Sequence, residues 1–518
     1  MITILDQEKY DLHLNKKSAG NYPVIYELLL SILLFGSIGA ITWAIRGTAG
    51  WGGVDGTVIP GLMWGVLWYY LAYRKGTDAR GVVLWLGLGI ALGGELGYGQ
   101  YVSWIRGIFY AGDKTIPIEP WLGYIWLILC GIGWAAPGGI LLGWALGKRV
   151  STKILAIRSL TLVILLVLLF GWSVIDWLGE LLLKTESSFL FPNIDLGLYT
   201  ADLGKHLSRT VYTNTQNIAV VVWWIAALLA AAWQRDKTTL VTGLILGVGF
   251  GLGFMQSALW TLGYASAPNY IDWWKMWELN SGFNLGLLYA VTFYWAIRNV
   301  DKTDQSNKII ADKTEVRTKY LEWRDTLFLA FGGFLLLFFV GFEYFFWTGL
   351  ALSVFYFAAM ILTTVGNSDS NSISEKRRNI SLIYSIFFLV FLLFFGASER
   401  LGIVLDLYSL DEVSQYSWPI NRILLFIPIA IVIISVAIFK MWQILRSKDY
   451  QSYKNNKHSK QALLVIDLMT VIGFIGALTI WPEKIGILYA LFLVFAIYAF
   501  NRLEHRFDMV FQKNNWSR

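Results

Sequence analysis

Residues 121–147 decide the fold class, because they read WLGYIWLILCGIGWAAPGGILLGWALG and contain no charged side chain. A stretch of about 20 apolar residues is long enough to cross the hydrocarbon core of a bilayer as a helix. Since lipid offers no partners to backbone polar groups, only a helix or a closed barrel satisfies them. The chain lacks the alternating segments of a barrel, so this stretch predicts a membrane-spanning helix.

The same apolar pattern recurs along the chain, which is 56% hydrophobic and 15% charged with a mean hydropathy of +0.55. In soluble proteins about a quarter of the residues are charged, so this composition is typical of a membrane protein. Fourteen apolar runs lie at 24–45, 57–73, 81–105, 121–147, 159–183, 215–233, 239–265, 272–297, 326–346, 347–365, 380–397, 421–441, 462–480 and 485–501. We therefore predict an all-α, polytopic transmembrane helical bundle of about 14 spans.

The positive charges fit this topology. With the N-terminus in the cytoplasm, 32 of the 42 Lys and Arg residues fall in cytoplasmic segments, as the positive-inside rule requires. The sequence thus predicts cytoplasmic N- and C-termini and a multi-pass protein of the bacterial inner (plasma) membrane. The net charge of +7 then follows from topology, so we expect the lipid bilayer, and no nucleic acid, as a partner.

Cysteine and histidine usage limits the chemistry that the membrane region can perform. Cys130 is the single cysteine, which excludes an intrachain disulfide and a cysteine-cluster metal site. The four histidines fall in predicted tails or loops. From the sequence we predict no metal site and no cofactor, and we assign no catalytic residue.

Composition divides the chain into two bundles. Residues 1–300 hold 20 of the 26 tryptophans and 39 of the 49 glycines, and a charge-rich stretch follows. We predict a Gly/Trp-rich eight-span bundle over 1–300, a cytoplasmic connector over 301–325, and a Phe/Leu-rich six-span bundle over 326–518. The last bundle is the expected surface for a protein partner or an oligomer.

Glycines spaced by four in the first bundle predict flat helix faces that let neighbouring backbones approach closely. Tight packing and sliding surfaces of a transporter both remain open as explanations. The glycines concerned are Gly89, Gly93 and Gly97; Gly139, Gly143 and Gly147; and Gly243, Gly247 and Gly251.

Glu95 is the most informative single residue, because it falls deep inside the third run, within Gly93-Gly94-Glu95. A carboxylate at that depth is expensive unless it is paired or hydrated. If the run is one helix, Glu95 faces away from the glycines and shares a face with Arg106, about 16 Å further out. A proton carrier, a cation ligand, a substrate anchor and a structural hydrogen bond or ion pair are all compatible with this position.

Two further segments carry polar groups in the predicted outer half. Arg46 and Asp55 bracket a glycine-rich loop, which is a candidate binding element. The eighth run begins with Trp273 to Asn284, in which Trp277, Asn280 and Asn284 share a helix face. Glu278 and, from the third run, Gln100 complete the predicted substrate-binding or proton-coupling set. We expect these groups to line an outward-opening cavity with a carboxylate at its base.

A resemblance exists for the first 300 residues. The segment Trp43-Ala44-Ile45-Arg46-Gly47, with Tyr98-Gly99-Gln100 and Trp273 to Glu278, resembles motifs of uncharacterised bacterial polytopic membrane proteins that share a Trp-x-Ile-Arg-Gly type of sequence. This resemblance implies no activity and no cofactor.

Three functions agree with these features. The first is a transporter or flippase for a polar substrate, sugar-like or lipid-linked, with proton coupling as one variant. The second is a membrane-embedded transferase with an outward-facing site, in which Asp55 or Glu95 acts as base and Arg46 or Arg106 holds phosphate. The third is a non-catalytic assembly or sensing component. A solvent-connected cavity distinguishes the first two from the third.

Overall fold

The structure is a computed structural model that describes residues 22–48, 82–111, 114–146, 151–184, 201–307 and 483–516, with isolated positions between 57 and 72. This part of the chain is mostly helical, which confirms the predicted helical class. Six of its helices are long and apolar enough to cross a membrane: Ile25–Trp43, Pro120–Leu146, Thr152–Phe170, Thr210–Trp233, Lys237–Ser266 and Ile487–Phe507. The predicted spans between 326 and 480 lie outside the described residues.

The elements follow one another in a simple order. They are α1 Tyr22–Thr48, α2 Val82–Gly93, α3 Gly99–Trp104, β1 Ile108–Ala111, β2 Lys114–Pro117, α4 Pro120–Leu146, α5 Thr152–Phe170, α6 Trp172–Lys184, α7 Ala201–Trp233, α8 Lys237–Ala258, a 3₁₀ turn Leu259–Leu262, α9 Gly263–Ser266, α10 Trp273–Asn307 and α11 Glu483–Trp516. The two strands form an antiparallel hairpin in which Ile108 pairs with Pro117 and Ala111 with Lys114.

Helix α4 lies at the centre of the bundle and contacts its neighbours through glycines. A Cβ atom on Gly89 of α2 would lie 2.6 Å from the Cα of Gly138, and one on Gly139 would lie 2.8 Å from the Thr242 carbonyl oxygen of α8. Both distances are too short for a larger side chain. The prediction that glycine faces bring backbones together is therefore confirmed for these helices.

The C-terminal helix packs against the first helix. The Tyr489 hydroxyl of α11 donates to the Ile41 carbonyl oxygen at 3.2 Å, and Arg506 Nε lies 2.8 Å from Glu27 Oε1. Residues from the two ends of the chain thus share one hydrophobic cluster, which also includes Leu279 of α10. This contact joins α11, from the second predicted bundle, to the first bundle.

The fifth predicted span is two helices instead of one. Helix α5 ends at Phe170, Gly171 forms the turn, and α6 follows as a separate, 13-residue helix with largely exposed side chains. Such a helix is too short to cross a bilayer, so the span consists of α5 alone. The segment 184–214 between the fifth and sixth predicted spans is also partly helical, because α7 begins at Ala201.

Candidate functional site

The third span is interrupted in the interior of the bundle. Helix α2 ends at Gly93, residues 94–98 form a turn, and the chain resumes as the short helix α3 at Gly99. The predicted continuous helix is therefore wrong, and so is the shared helical face of Glu95 and Arg106. Glu95 lies half-buried in the turn itself, where its amide donates to the Leu92 carbonyl at 3.3 Å.

Side chains of neighbouring helices satisfy the carbonyl groups that this break releases. Trp134 Nε1 of α4 donates to the Leu96 carbonyl oxygen at 2.9 Å. The Gly97 carbonyl oxygen accepts from Asn217 Nδ2 of α7 at 3.1 Å and, more weakly, from Cys130 Sγ at 3.6 Å. Non-helical backbone at membrane depth is tolerated where protein surrounds it in this way.

A polar network on α7 supports the α3 side of the break. The Tyr101 hydroxyl of α3 donates to Asn214 Oδ1 at 2.6 Å and accepts from Asn217 Nδ2 at 3.1 Å. Both asparagines belong to the run Thr213-Asn214-Thr215-Gln216-Asn217, all of whose members are buried. Hydropathy places this run at a loop boundary, so the predicted site residues did not include it. Five consecutive uncharged polar residues before an apolar stretch are the signal that could have revealed it.

A cavity of about 350 Å³ lies on the α3 side of the break. It is lined by Gly99, Gln100, Val102, Ser103, Arg106, Tyr110 and Trp274. The wall thus combines α3, the β-hairpin and the first turn of α10. Its volume is within the range of pockets that hold small ligands.

Arg106 is the charged group of the cavity lining. It follows α3 directly, and its amide donates to the Ser103 carbonyl at 3.0 Å. The next residue, Gly107, has a φ of 75°, a left-handed conformation that turns the chain into the hairpin and that glycine adopts without strain. The guanidinium lies 5.5 Å from the centre of the Tyr264 ring, and Arg106 has no ion-pair partner among the described residues.

Glu278 holds the opposite wall in place. It is buried, and it accepts a hydrogen bond from Trp274 Nε1 at 2.9 Å and one from Lys275 Nζ at 2.5 Å. Asp272 caps the helix by accepting from the Lys275 amide at 3.1 Å, and the Trp274 amide donates to the Tyr264 hydroxyl at 3.2 Å. Glu278 therefore orients the indole that lines the cavity, and Lys275 balances its charge.

Aromatic rings form a layer beside the cavity. Trp277 packs edge-on against Trp274, with ring centres 4.7 Å apart, and against Tyr98 at 5.2 Å. Tyr98 in turn contacts Trp134 at 5.5 Å, and Phe254 of α8 contacts Trp277 at 5.4 Å. We name these five residues the aromatic layer.

Asn280 and Asn284 take part in a different hydrogen-bond group. Asn280 Oδ1 accepts from Trp260 Nε1 at 2.9 Å and from Gln256 Nε2 at 3.3 Å. Asn284 Nδ2 donates to Gln256 Oε1 at 2.8 Å and to the Gly253 carbonyl at 2.9 Å. These bonds join α10 to α8, on the helix face from which Trp277 contacts Phe254.

The predicted site residues thus fall into separate groups. Gln100 and Arg106 line the cavity, while Glu278 lies behind Trp274. Glu95 lies in the break and does not line the cavity. The side chain of Arg46 and the whole of Asp55 lie outside the described residues. Among the described residues, no carboxylate lines the cavity.

No group of three His, Cys, Asp or Glu side chains in the described part of the chain could hold a metal ion. Comparison with known proteins adds no family: no family model, no curated protein and no solved structure matches the chain.

Proposed function

We propose that the protein is a multi-pass membrane transporter or flippase that moves a polar substrate through the first bundle, with the cavity as its outward-facing binding site. The observation that carries this proposal is the interruption of the third span at residues 94–98, directly beside the cavity. Discontinuous membrane helices are a recurrent feature of secondary transporters, where they form the substrate site.

The proposal includes the topology derived from the sequence. It has about 14 spans, cytoplasmic termini and a location in the bacterial inner membrane. The six apolar helices and the distribution of Lys and Arg residues support this arrangement.

The aromatic layer is the proposed barrier that closes the cavity toward the cytoplasm. Tyr98 closes the turn of the broken span and packs against Trp277, beside the cavity-lining Trp274. A rearrangement of residues 94–98 would move Tyr98 and separate these rings. We therefore propose that the described state is outward-facing and that the layer opens toward the cytoplasm in a second state.

Cysteine labelling tests this proposal without knowledge of the substrate. Gly99 lines the cavity, and a Cβ atom at this position meets no other atom within 4 Å. The G99C variant is made on a Cys130→Ser background, which removes the single native cysteine and retains a donor for Gly97. We expect a membrane-impermeant maleimide to label G99C in right-side-out vesicles and also in inverted vesicles.

The control is Ser257→Cys on the same background, because Ser257 is fully buried and hydrogen-bonds to Ser281. It should remain unlabelled from both sides. If G99C reacts from the outer side alone under all conditions, the cavity is a stationary site. That result would contradict transport and favour the membrane-embedded transferase, since the cavity belongs to α3 and the outer end of α10.

A further inference from the structure

The charges around the cavity differ in how they are balanced. Glu278 is matched by Lys275 at 2.5 Å, and Asp272 caps α10. Arg106 contacts the face of Tyr264 but forms no ion pair with a described residue, and its Nε atom is buried without an acceptor. Among the described residues, the cavity lining therefore carries one positive charge without an ion-pair partner.

A second donor lies on the same wall. Gln100 Nε2 is buried close to the Tyr101 hydroxyl, but it makes no hydrogen bond of good geometry with the described residues. Gln100 and Arg106 both line the cavity. Buried donors without good acceptors are costly to a fold, so the Arg106 Nε atom and the poorly bonded Gln100 amide on one cavity wall point to an acceptor beyond the described residues.

We propose that the ligand of this cavity carries a phosphate group, which Arg106 and Gln100 bind while Trp274 contacts the adjoining part of the molecule. A guanidinium presents a planar set of donors that matches phosphate oxygens. The indole of Trp274 provides a flat apolar surface whose orientation Glu278 fixes. The phosphate group belongs either to a soluble phosphate ester or to the headgroup of an anionic lipid. This proposal rests on the cavity being the substrate site of the proposed transporter.

Binding measurements on the purified full chain test this chemistry. Glycerol 3-phosphate is titrated calorimetrically in detergent, and phosphatidylglycerol is compared with phosphatidylcholine by native mass spectrometry. We expect saturable binding of one probe. Binding of glycerol 3-phosphate would identify the ligand as a soluble phosphate ester, and a preference for phosphatidylglycerol would identify it as a lipid headgroup. Arg106→Gln should weaken that binding about ten- to hundredfold, as loss of a charged hydrogen bond does. Arg502→Gln, an equal charge change on the exposed face of α11, should leave it unchanged.

Gln100→Leu keeps the test informative if Arg106→Gln folds poorly. Removing a buried amide that has no good partner should leave the apparent melting temperature of the ligand-free protein unchanged or higher, yet weaken phosphate binding. Failure of both probes to bind, or equal binding by the wild type and both variants, would overturn the proposal. Because binding is measured without flux, this outcome is distinct from one-sided labelling of G99C, which would refute transport and leave the phosphate site intact.

Discussion

At the residue scale, the structure depends on how single donors meet the carbonyl groups of the broken span. Trp134 and Asn217 lie on different helices, yet both donate to the turn between α2 and α3. The sequence predicts that Trp134 lies inside a membrane helix, but it does not predict its hydrogen-bond acceptor, because the acceptor is a backbone group 38 residues away. Tertiary hydrogen bonds of this kind leave no local pattern.

Trp134→Phe should destabilise the protein by about 1–3 kcal/mol, because it leaves the Leu96 carbonyl without its indole donor in a buried site. The matched control is Trp277→Phe. Both indoles are buried and belong to the aromatic layer, but Trp277 Nε1 makes no hydrogen bond to a described residue. Thermal unfolding in one detergent compares them. An equal loss of stability in the two variants would show that the Trp134 hydrogen bond contributes nothing.

At the element scale, the sequence predicted the existence of helices better than their continuity. Apolarity places a span at 81–105, but a turn inside an apolar stretch leaves the hydropathy unchanged. The adjacent glycines Gly93 and Gly94 mark the break only in retrospect, because glycines at other positions in the same bundle lie within unbroken helices. Likewise, the sequence predicts Gln100 and Arg106 as polar members of the span, while their separation from Glu95 depends on the break.

Two glycines on either side of the break should respond oppositely to alanine. A Cβ atom on Gly93 would overlap the Trp134 carbonyl oxygen, whereas one on Gly99 meets open space. Gly93→Ala should therefore lower the apparent melting temperature and the yield of folded protein. Gly99→Ala should leave both unchanged or raise them slightly, since alanine favours a helix. Unfolding curves and size-exclusion profiles measure the difference, and indistinguishable variants would contradict the close contact of α2 and α4.

At the scale of the whole molecule, α11 returns to pack against α1 and joins the two ends of the chain. The predicted boundary between the two bundles rests on Trp and Gly content. This content indicates how closely helices pack, but it carries no information about which helices are in contact. The ion pair between the buried Glu27 and the partly exposed Arg506 is therefore a contact that composition could not predict.

Arg506→Gln should destabilise the protein by about 1–3 kcal/mol, because it leaves the buried Glu27 carboxylate without this charged donor. Arg502→Gln provides the comparison on the same helix, where the exposed guanidinium contacts the Tyr498 ring at 5.5 Å. Its loss should matter less. Thermal unfolding of the full chain measures both variants, and a larger effect of Arg502→Gln would argue against the contact of α11 with α1.

The central claim is that the cavity is one state of a protein that opens and closes around a substrate. Tyr110 on the hairpin and Tyr270 in the turn before α10 are both exposed, so each accepts a spin label. Pulsed electron–electron distance measurement between these two labels, on the Cys130→Ser background in nanodiscs, reports the separation of the hairpin from the start of α10, the two elements that carry the cavity-lining Tyr110 and Trp274. We predict two distance populations whose ratio changes when a ligand that binds the cavity is added. A single narrow distribution under all conditions would contradict the claim.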